Sequence, residues 1–395
     1  MARHATVIGA GPAGLAAASE LTRAGLQVQV LERARAVGAS WRGRYGRLRL
    51  NTVRWLSGLP GAPIPRTYGR WVARDAYVSY LEHYAASRRL DIRFFVQARR
   101  IERTADGWTV ETDAGTVSSD VVVVATGYDH TPRPVEWPGV EDFEGEILHA
   151  AAYVDATPHV GRDVLVTGAG STGLEIATDL AEGGARCVWV ARRTPPNFIT
   201  REYLGLPLTP LALLDRHQPA WVTDALGRLL QRLQHGDLSD LGLPPAPVGM
   251  GTRLRDDGRG PVIVDGFVEQ LRAGRIEVVD ELLAFDRNVA VLVGGRRVQL
   301  HAMIAATGYE RGLERLVGHL GVLRSDGRPR TRCGAADPVR PGLYFIGYTV
   351  PLSGQLHEIT SDARRLRRSV TADSSPTLRA VSQVAAATLG RHRTP

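Results

Sequence analysis

The chain contains no lysine: all 49 of its Lys+Arg positions are arginine. That absence excludes Schiff-base chemistry and any lysine general base. Cysteine is nearly absent too, with Cys187 and Cys333 alone and far apart. There is no C-x-x-C pair, so disulfide reduction of the thioredoxin-reductase kind lacks its redox couple, and no metal-ligand spacing occurs. Cys187 opens an apparent strand and reads as a core residue. No uninterrupted apolar run reaches the ~18–20 residues that span a bilayer. A strand begins almost at residue 1, which leaves no room for a signal peptide, and a cytoplasmic location is expected. No Ser-His-Asp set, paired-carboxylate motif or P-loop stands out, so hydrolysis and phosphoryl transfer are not expected. The net charge of +8 is spread as arginine along the whole chain. It reads as coding bias rather than a nucleic-acid footprint.

What the chain does contain is a doubled pattern. With 395 residues, 44% of them apolar, it is expected to fold as two domains. The apolar run Thr6-Val7-Ile8 leads into Gly9-Ala10-Gly11-Pro12-Ala13-Gly14, then an Ala-rich helical stretch to Arg23, then Val28–Leu31 and Glu32. Glu32 follows Gly9 by 23 residues, close to the ~20 expected between a glycine turn and a ribose-binding acid. Gly9 suits the tight turn, Gly11 the approach of a pyrophosphate, and Gly14 close helix–strand packing. The helix N-terminus adds free N–H groups and its positive dipole end. Pro12, Ala13 and Arg33 flank the same site.

The second copy runs from Val164–Thr167 into Gly168-Ala169-Gly170-Ser171-Thr172-Gly173, a helix, and Cys187–Val190. It ends on Arg192-Arg193 where the first copy ends on Glu32. An acid excludes a 2′-phosphate, whereas an arginine pair neutralises one. The first unit therefore suits the ADP half of FAD and the second suits NADPH over NADH. The segments that follow are doubled as well. Trp108–Thr112, a turn at 113–115 and its return precede the buried run Val121–Ala125, which ends Ala125-Thr126-Gly127-Tyr128. Val289–Val293, a turn at Gly294-Gly295 and its return precede Ala302–Ala306, which ends Ala306-Thr307-Gly308-Tyr309.

Other stretches are read more simply. Residues 75–90 show a helical stripe of Tyr77, Tyr80, Leu81 and Tyr84, and Val96–Ile101 reads as a strand. Gly38–Trp41 reads as a turn, and Trp41 either covers a ring system or fills the core. Leu226, Leu229, Leu230 and Leu233 form an amphipathic stripe, read as ordinary packing, with a substrate-channel wall or a membrane-surface contact as alternatives. Residues 241–251 read as a loop. Leu343–Gly347 reads as a short strand, and the turn 352–355, with Gln355, leads a helix toward Gly347. Residues beyond about 371 turn polar and are expected to be poorly ordered.

Between the two units, Phe143-Glu144-Gly145-Glu146-Ile147-Leu148-His149-Ala150-Ala151-Ala152-Tyr153 reads as F-x-G-x-x-x-H-x-x-x-Y. With both glycine motifs, both A-T-G-Y segments, Asn51 and the 352–355 turn in order, the chain resembles the class B flavin-dependent monooxygenases over nearly its whole length. It is most similar to the flavin-containing and YUCCA-type indole-pyruvate branch. The Baeyer–Villiger branch usually carries Trp-Pro where this chain has Tyr153-Val154, and YUCCA-type enzymes differ near Asn51. The resemblance implies an α/β fold of two Rossmann-like dinucleotide-binding domains. An FAD domain, roughly 1–155 and 300–370, would be split by an NADPH domain, 156–299, with a tail at 371–395. It further implies O2 as co-substrate and a C4a-hydroperoxyflavin that oxygenates a small organic substrate at nitrogen or sulfur. A carbonyl substrate (Baeyer–Villiger or oxidative decarboxylation) and an NADPH-dependent flavin reductase or oxidase are the enzymatic alternatives. A non-catalytic flavoprotein, acting as redox sensor or interaction partner, is the remaining one.

By the same resemblance Asn51 is the active-site asparagine, donating to the peroxide; the other reading is a loop residue satisfying backbone groups. His149 reads as a hinge residue at the linker rather than a proton donor. Arg201 either joins the 2′-phosphate site or forms a surface ion pair. Thr126, Gly127, Gly347 and Gln355 complete the expected cofactor contacts. Substrate identity and oligomeric state leave no signal in the sequence.

Overall fold

The computed structural model describes residues 3–213 and 218–373. In the first unit, β1 (His4–Ile8) feeds α1 (Pro12–Arg23), and the chain returns through β2 (Gln27–Leu31). Pro12 stands at the start of α1, where its missing N–H costs no helical bond. The tyrosine stripe lies on α2 (Arg74–Ser87) and buries Tyr77, Tyr80, Leu81 and Tyr84. A short β3 (Asp91–Arg93) follows. The strand expected at 96–101 starts later, as β4 (Ala98–Thr104). It pairs antiparallel with β5 (Gly107–Thr112), which pairs in turn with β6 (Gly115–Ser119). Then comes β7 (Val121–Val124), four valines all buried, as a strand covered on both faces requires.

The second unit opens with β8 (Glu146–His149), then β9 (Asp163–Thr167), α3 (Ser171–Glu182) and β10 (Cys187–Ala191). Cys187 is exposed at the start of its strand, so the core reading fails there; Cys333 is the buried one. Among the helices that follow are α4 (Ala220–His235) and α5 (Met250–Asp257). After β11 (Ile276–Val279) the chain forms the antiparallel β12 (Leu282–Asp286), β13 (Val289–Leu292) and β14 (Arg297–Gln299), then β15 (Ala302–Ala305). The last elements of the described residues are β16 (Leu343–Phe345) and α6 (Gln355–Asp373).

Two parallel five-stranded sheets result. One has the order β16-β7-β1-β2-β3 and the other β11-β10-β9-β15-β8. The doubling extends to atoms. Ala125 N donates to Ile8 O at 3.0 Å, and its counterpart Ala306 N donates to Thr167 O at 2.8 Å. Residues 146–149 and 302–305 belong to the second sheet. Both strands lie outside the span 156–299. Buried Leu356, Ile359, Ala363, Leu366 and Val370 of α6 share the first core with Leu15, Ala17 and Leu21 of α1. The start of the expected tail, 371–373, is helical, and the rest of that segment lies outside the described residues. Among the described residues, no helix is long and apolar enough to cross a membrane.

Candidate active site

The three glycines of the first motif meet three different surroundings. Gly9 has φ +106°, and a Cβ there would stand 2.6 Å from Ala125 O. A Cβ on Gly14 would stand 1.8 Å from Gly9 O, so α1 can pack on β1 only through a glycine. A Cβ on Gly11 would meet nothing within 4 Å. The backbone there faces open space, which is what a pyrophosphate needs. The second motif repeats this. A Cβ would stand 2.4 Å from Ala306 O at Gly168 and 1.9 Å from Gly168 O at Gly173, with nothing within 4 Å at Gly170. These paired cradles fit two dinucleotides.

Glu32 is buried at the end of β2, 8% exposed. Its Oε2 accepts from Ala10 N at 2.7 Å and its Oε1 from Ala34 N at 2.8 Å. Each oxygen keeps lone pairs for ribose hydroxyls. Gly9, Glu32, Arg33 and Thr126 border a cavity of ≈ 820 Å³ on one side and a second of ≈ 980 Å³ on the other. Thr126 Oγ1 bonds the Tyr348 hydroxyl at 2.8 Å, and Gly127, with φ +94°, borders the larger cavity. Gln355 Nε2 donates to Gly347 O at 2.8 Å, tying the N-terminus of α6 to the end of β16. Trp41 lies in one turn of helix, Ala39–Arg42, rather than a bare turn. It packs edge-on to Tyr77 at 4.7 Å and also lines the larger cavity, so it both fills core and borders the site.

The larger cavity joins the two units. Pro12 and Ala13 of α1 border it, as do Ser171 and Thr172 of α3, Asn51 and Arg201. The arginine pair lies elsewhere. Arg192 donates Nε and Nη2 to Gly242 O at 2.9 and 2.7 Å. Arg193 has 84% of its side chain exposed, with Glu281 at 3.8 Å. Neither borders the larger cavity.

Arg201 is 9% exposed, so it is no surface ion pair. Its Nη2 donates to Glu175 Oε1 at 2.9 Å, its Nη1 to Asp265, and its Nε to Asn51 Oδ1 at 3.0 Å. Tyr45 donates to the other oxygen of Glu175. Burial pushes the Glu175 carboxyl up, and the Arg201 guanidinium opposes that shift. Burial also raises the Tyr45 phenol, reinforced by Glu175. Sequence reasoning missed Glu175, Asp265 and Tyr45. The position of Glu175 inside the second glycine-motif helix was the available signal.

The leucine stripe of α4 does not pack inward as expected. Its buried face is Thr223, Asp224 and Gly227. Gly227 lies against Met250, where a Cβ would stand 2.3 Å from Cε. Asp224 accepts from Gly251 N at 2.7 Å and Thr252 N at 3.0 Å, capping α5. Leu226, Leu229, Leu230 and Leu233 line the larger cavity instead.

The linker motif is a fastener. Phe143 packs on Phe285 at 4.9 Å, and Tyr153 donates to Asp179 of α3 at 2.7 Å. His149 Nδ1 accepts from Ala151 N at 3.0 Å, and Nε2 lies 3.2 Å from Gly308 O. Burial holds its imidazole below the usual histidine range. The two A-T-G-Y tyrosines lock reciprocally. Arg311 donates to the Tyr128 hydroxyl, and Arg44 to the Tyr309 hydroxyl at 2.7 Å.

Comparison with known proteins agrees with this architecture. Residues 6–204 match the family described as pyridine nucleotide-disulphide oxidoreductase. Indole-3-pyruvate monooxygenase YUCCA1 of Oryza sativa subsp. japonica is 32% identical over 351 residues, covering 87% of this chain and 86% of that protein. This chain is a class B flavin-dependent monooxygenase. The probable indole-3-pyruvate monooxygenase YUCCA3 of Arabidopsis thaliana is 30% identical, covering 87% of this chain and 81% of that one. A flavin-containing monooxygenase from Stenotrophomonas maltophilia shares the fold, with TM-score 0.71, 22% identity and coverage of 95% and 99%. Cyclohexanone monooxygenase shares it with TM-score 0.73 and 18% identity, covering 99% of this chain and 93% of that one. The monooxygenase uses FAD and NADPH.

Proposed function

We propose that this monooxygenase transfers one oxygen atom of O2 to a small apolar molecule, at nitrogen or sulfur, inside the ≈ 980 Å³ cavity. One observation carries the reading: both glycine motifs, Asn51 and the leucine face of α4 border that single space. When bound, FAD supplies the chemistry with O2 and NADPH supplies hydride. The protein supplies placement and apolar surroundings. Gly11 and Gly170 open the backbone to the two pyrophosphates, and Glu32 receives ribose hydroxyls. The leucines of α4 and Met250 give the cavity an apolar wall. Asn51 Nδ2 donates a hydrogen bond there, its Oδ1 being engaged by Arg201.

A second reading, oxidative decarboxylation of a 2-oxo acid, is supported by the names of the plant relatives, both indole-3-pyruvate monooxygenases. One experiment separates the two. The FAD-loaded enzyme is supplied with NADPH and a panel of amines, thioethers and arylpyruvates, and products are identified by mass. N-oxides or sulfoxides are expected. Arylacetates with CO2 release would replace the leading reading by the second, and NADPH oxidation without oxygenated product from any compound would overturn both.

A further inference from the structure

Asn51 belongs to the FAD half of the molecule, yet its side chain is held by the other half. Its Oδ1 accepts from Arg201 Nε at 3.0 Å. Arg201 is gripped by Glu175 through Nη2, at 2.9 Å, and by Asp265 through Nη1. Glu175 sits on α3, the helix whose first residues, Ser171 and Thr172, border the cavity. Tyr45 anchors the far oxygen of Glu175. A guanidinium only donates. Flipping the Asn51 amide would set its N–H groups against those of Arg201 and turn its oxygen into the cavity. Arg201 therefore permits one of the two amide orientations.

We propose that Arg201 is a positioning residue: the NADPH unit, through Arg201 backed by Glu175 and Asp265, fixes the amide of Asn51 with its donor toward the reacting oxygen. This rests on the reading of Asn51 as the donor at that oxygen. It assigns Arg201 a role other than 2′-phosphate recognition, since two carboxylates, Glu175 and Asp265, already pair with its single positive charge.

The test is a double-mutant cycle on FAD-loaded enzyme with Asn51→Ala, Arg201→Lys and the pair. Two quantities are measured. One is the rate of hydrogen peroxide release with NADPH and O2 and no organic substrate. The other is the affinity for NADP+ and for NAD+, by titration of the oxidised enzyme. Asn51→Ala and Arg201→Lys should each raise peroxide release, by roughly 5- to 30-fold, as loss of one such contact predicts. The pair should be no worse than Asn51→Ala alone, because Arg201 acts through Asn51. NADP+ affinity should stay within about twofold, as expected of a residue that does not touch the phosphate.

If Arg201→Lys fails to retain FAD, Glu175→Gln takes its place in the cycle, since a buried neutral amide costs less than a buried carboxylate. A smaller rise, again absent in the Asn51→Ala background, is then expected. Peroxide release unchanged by the Arg201 or Glu175 variant, while Asn51→Ala raises it, overturns the positioning role alone. So does an effect that simply adds to that of Asn51→Ala. A tenfold loss of NADP+ affinity with NAD+ unaffected would make Arg201 a phosphate ligand. No change in Asn51→Ala itself would remove the reading of Asn51 and this inference together.

Discussion

At the residue scale, the glycines of the first motif do separable work. Gly14 lets α1 lie on β1, and Gly11 leaves room for a ligand. Their substitutions should therefore fail differently. Gly11→Ala adds a methyl group where nothing stands within 4 Å, at φ −83°, a backbone conformation alanine adopts freely. The chain should fold with an unchanged far-ultraviolet spectrum and lose FAD affinity by roughly tenfold or more, about 1.4 kcal/mol. Gly14→Ala puts a methyl group 1.8 Å from Gly9 O and should abolish soluble folded protein. Equal FAD affinity in Gly11→Ala and the parent would show that the pyrophosphate lies elsewhere. Both glycines were legible in the sequence because the pattern names their spacing. The anchoring of Glu32 by Ala10 N and Ala34 N was not, because only the folded turn brings those amides to one carboxylate.

At the scale of the element, the two βαβ units share a backbone plan and differ at the end of the second strand. Buried Glu32 follows β2, and Arg192-Arg193 follows β10. The pair is not equivalent in the fold. Arg192 braces the Gly242 carbonyl, while Arg193 reaches solvent. Arg193→Ala should raise the KM for NADPH by roughly 5- to 30-fold, about 1–2 kcal/mol of lost contact with a 2′-phosphate. The KM for NADH should stay within about twofold. Equal losses for both nucleotides, in steady-state rates at matched FAD content, would show that Arg193 does not read the phosphate. The helix α4 shows how an amphipathic stripe misleads. Its leucines looked like a packing face, but the packing face is Thr223, Asp224 and Gly227, which lets Met250 approach closely. Periodicity reports that one side is apolar; it does not say whether that side meets a core or a cavity.

At the scale of the whole molecule, α6 packs on α1 in the first core, and one of its acids should set a pH dependence. Asp362 is 1% exposed, and burial pushes its carboxyl up to about 7, against the pull of Arg365. A carboxyl whose folded value lies above its unfolded one makes the folded state bind the extra proton. Stability then falls as pH rises from about 4 through about 7, by roughly 1.4 kcal/mol per pH unit inside that window. Asp362→Asn should remove this component, so that urea unfolding midpoints at pH 5 and pH 8 draw closer than in the parent. A parent and variant with the same pH slope would show that Asp362 ionises normally in the fold.

The sequence by itself determined the doubled architecture and the cofactor class. Glycine spacing, buried apolar runs and the residue just after each second strand are local features, dictated by backbone sterics and by charge at a single point. The tertiary structure alone decided that β8 and β15 complete the second sheet, that the leucines of α4 face a cavity, and that Arg201 meets Asn51. Those three facts depend on contacts between residues far apart in the chain, whose energies come from burial and from charged groups seeking partners once water is excluded. Nothing in the order of residues states which distant partner is met; only the folded arrangement of the two units does.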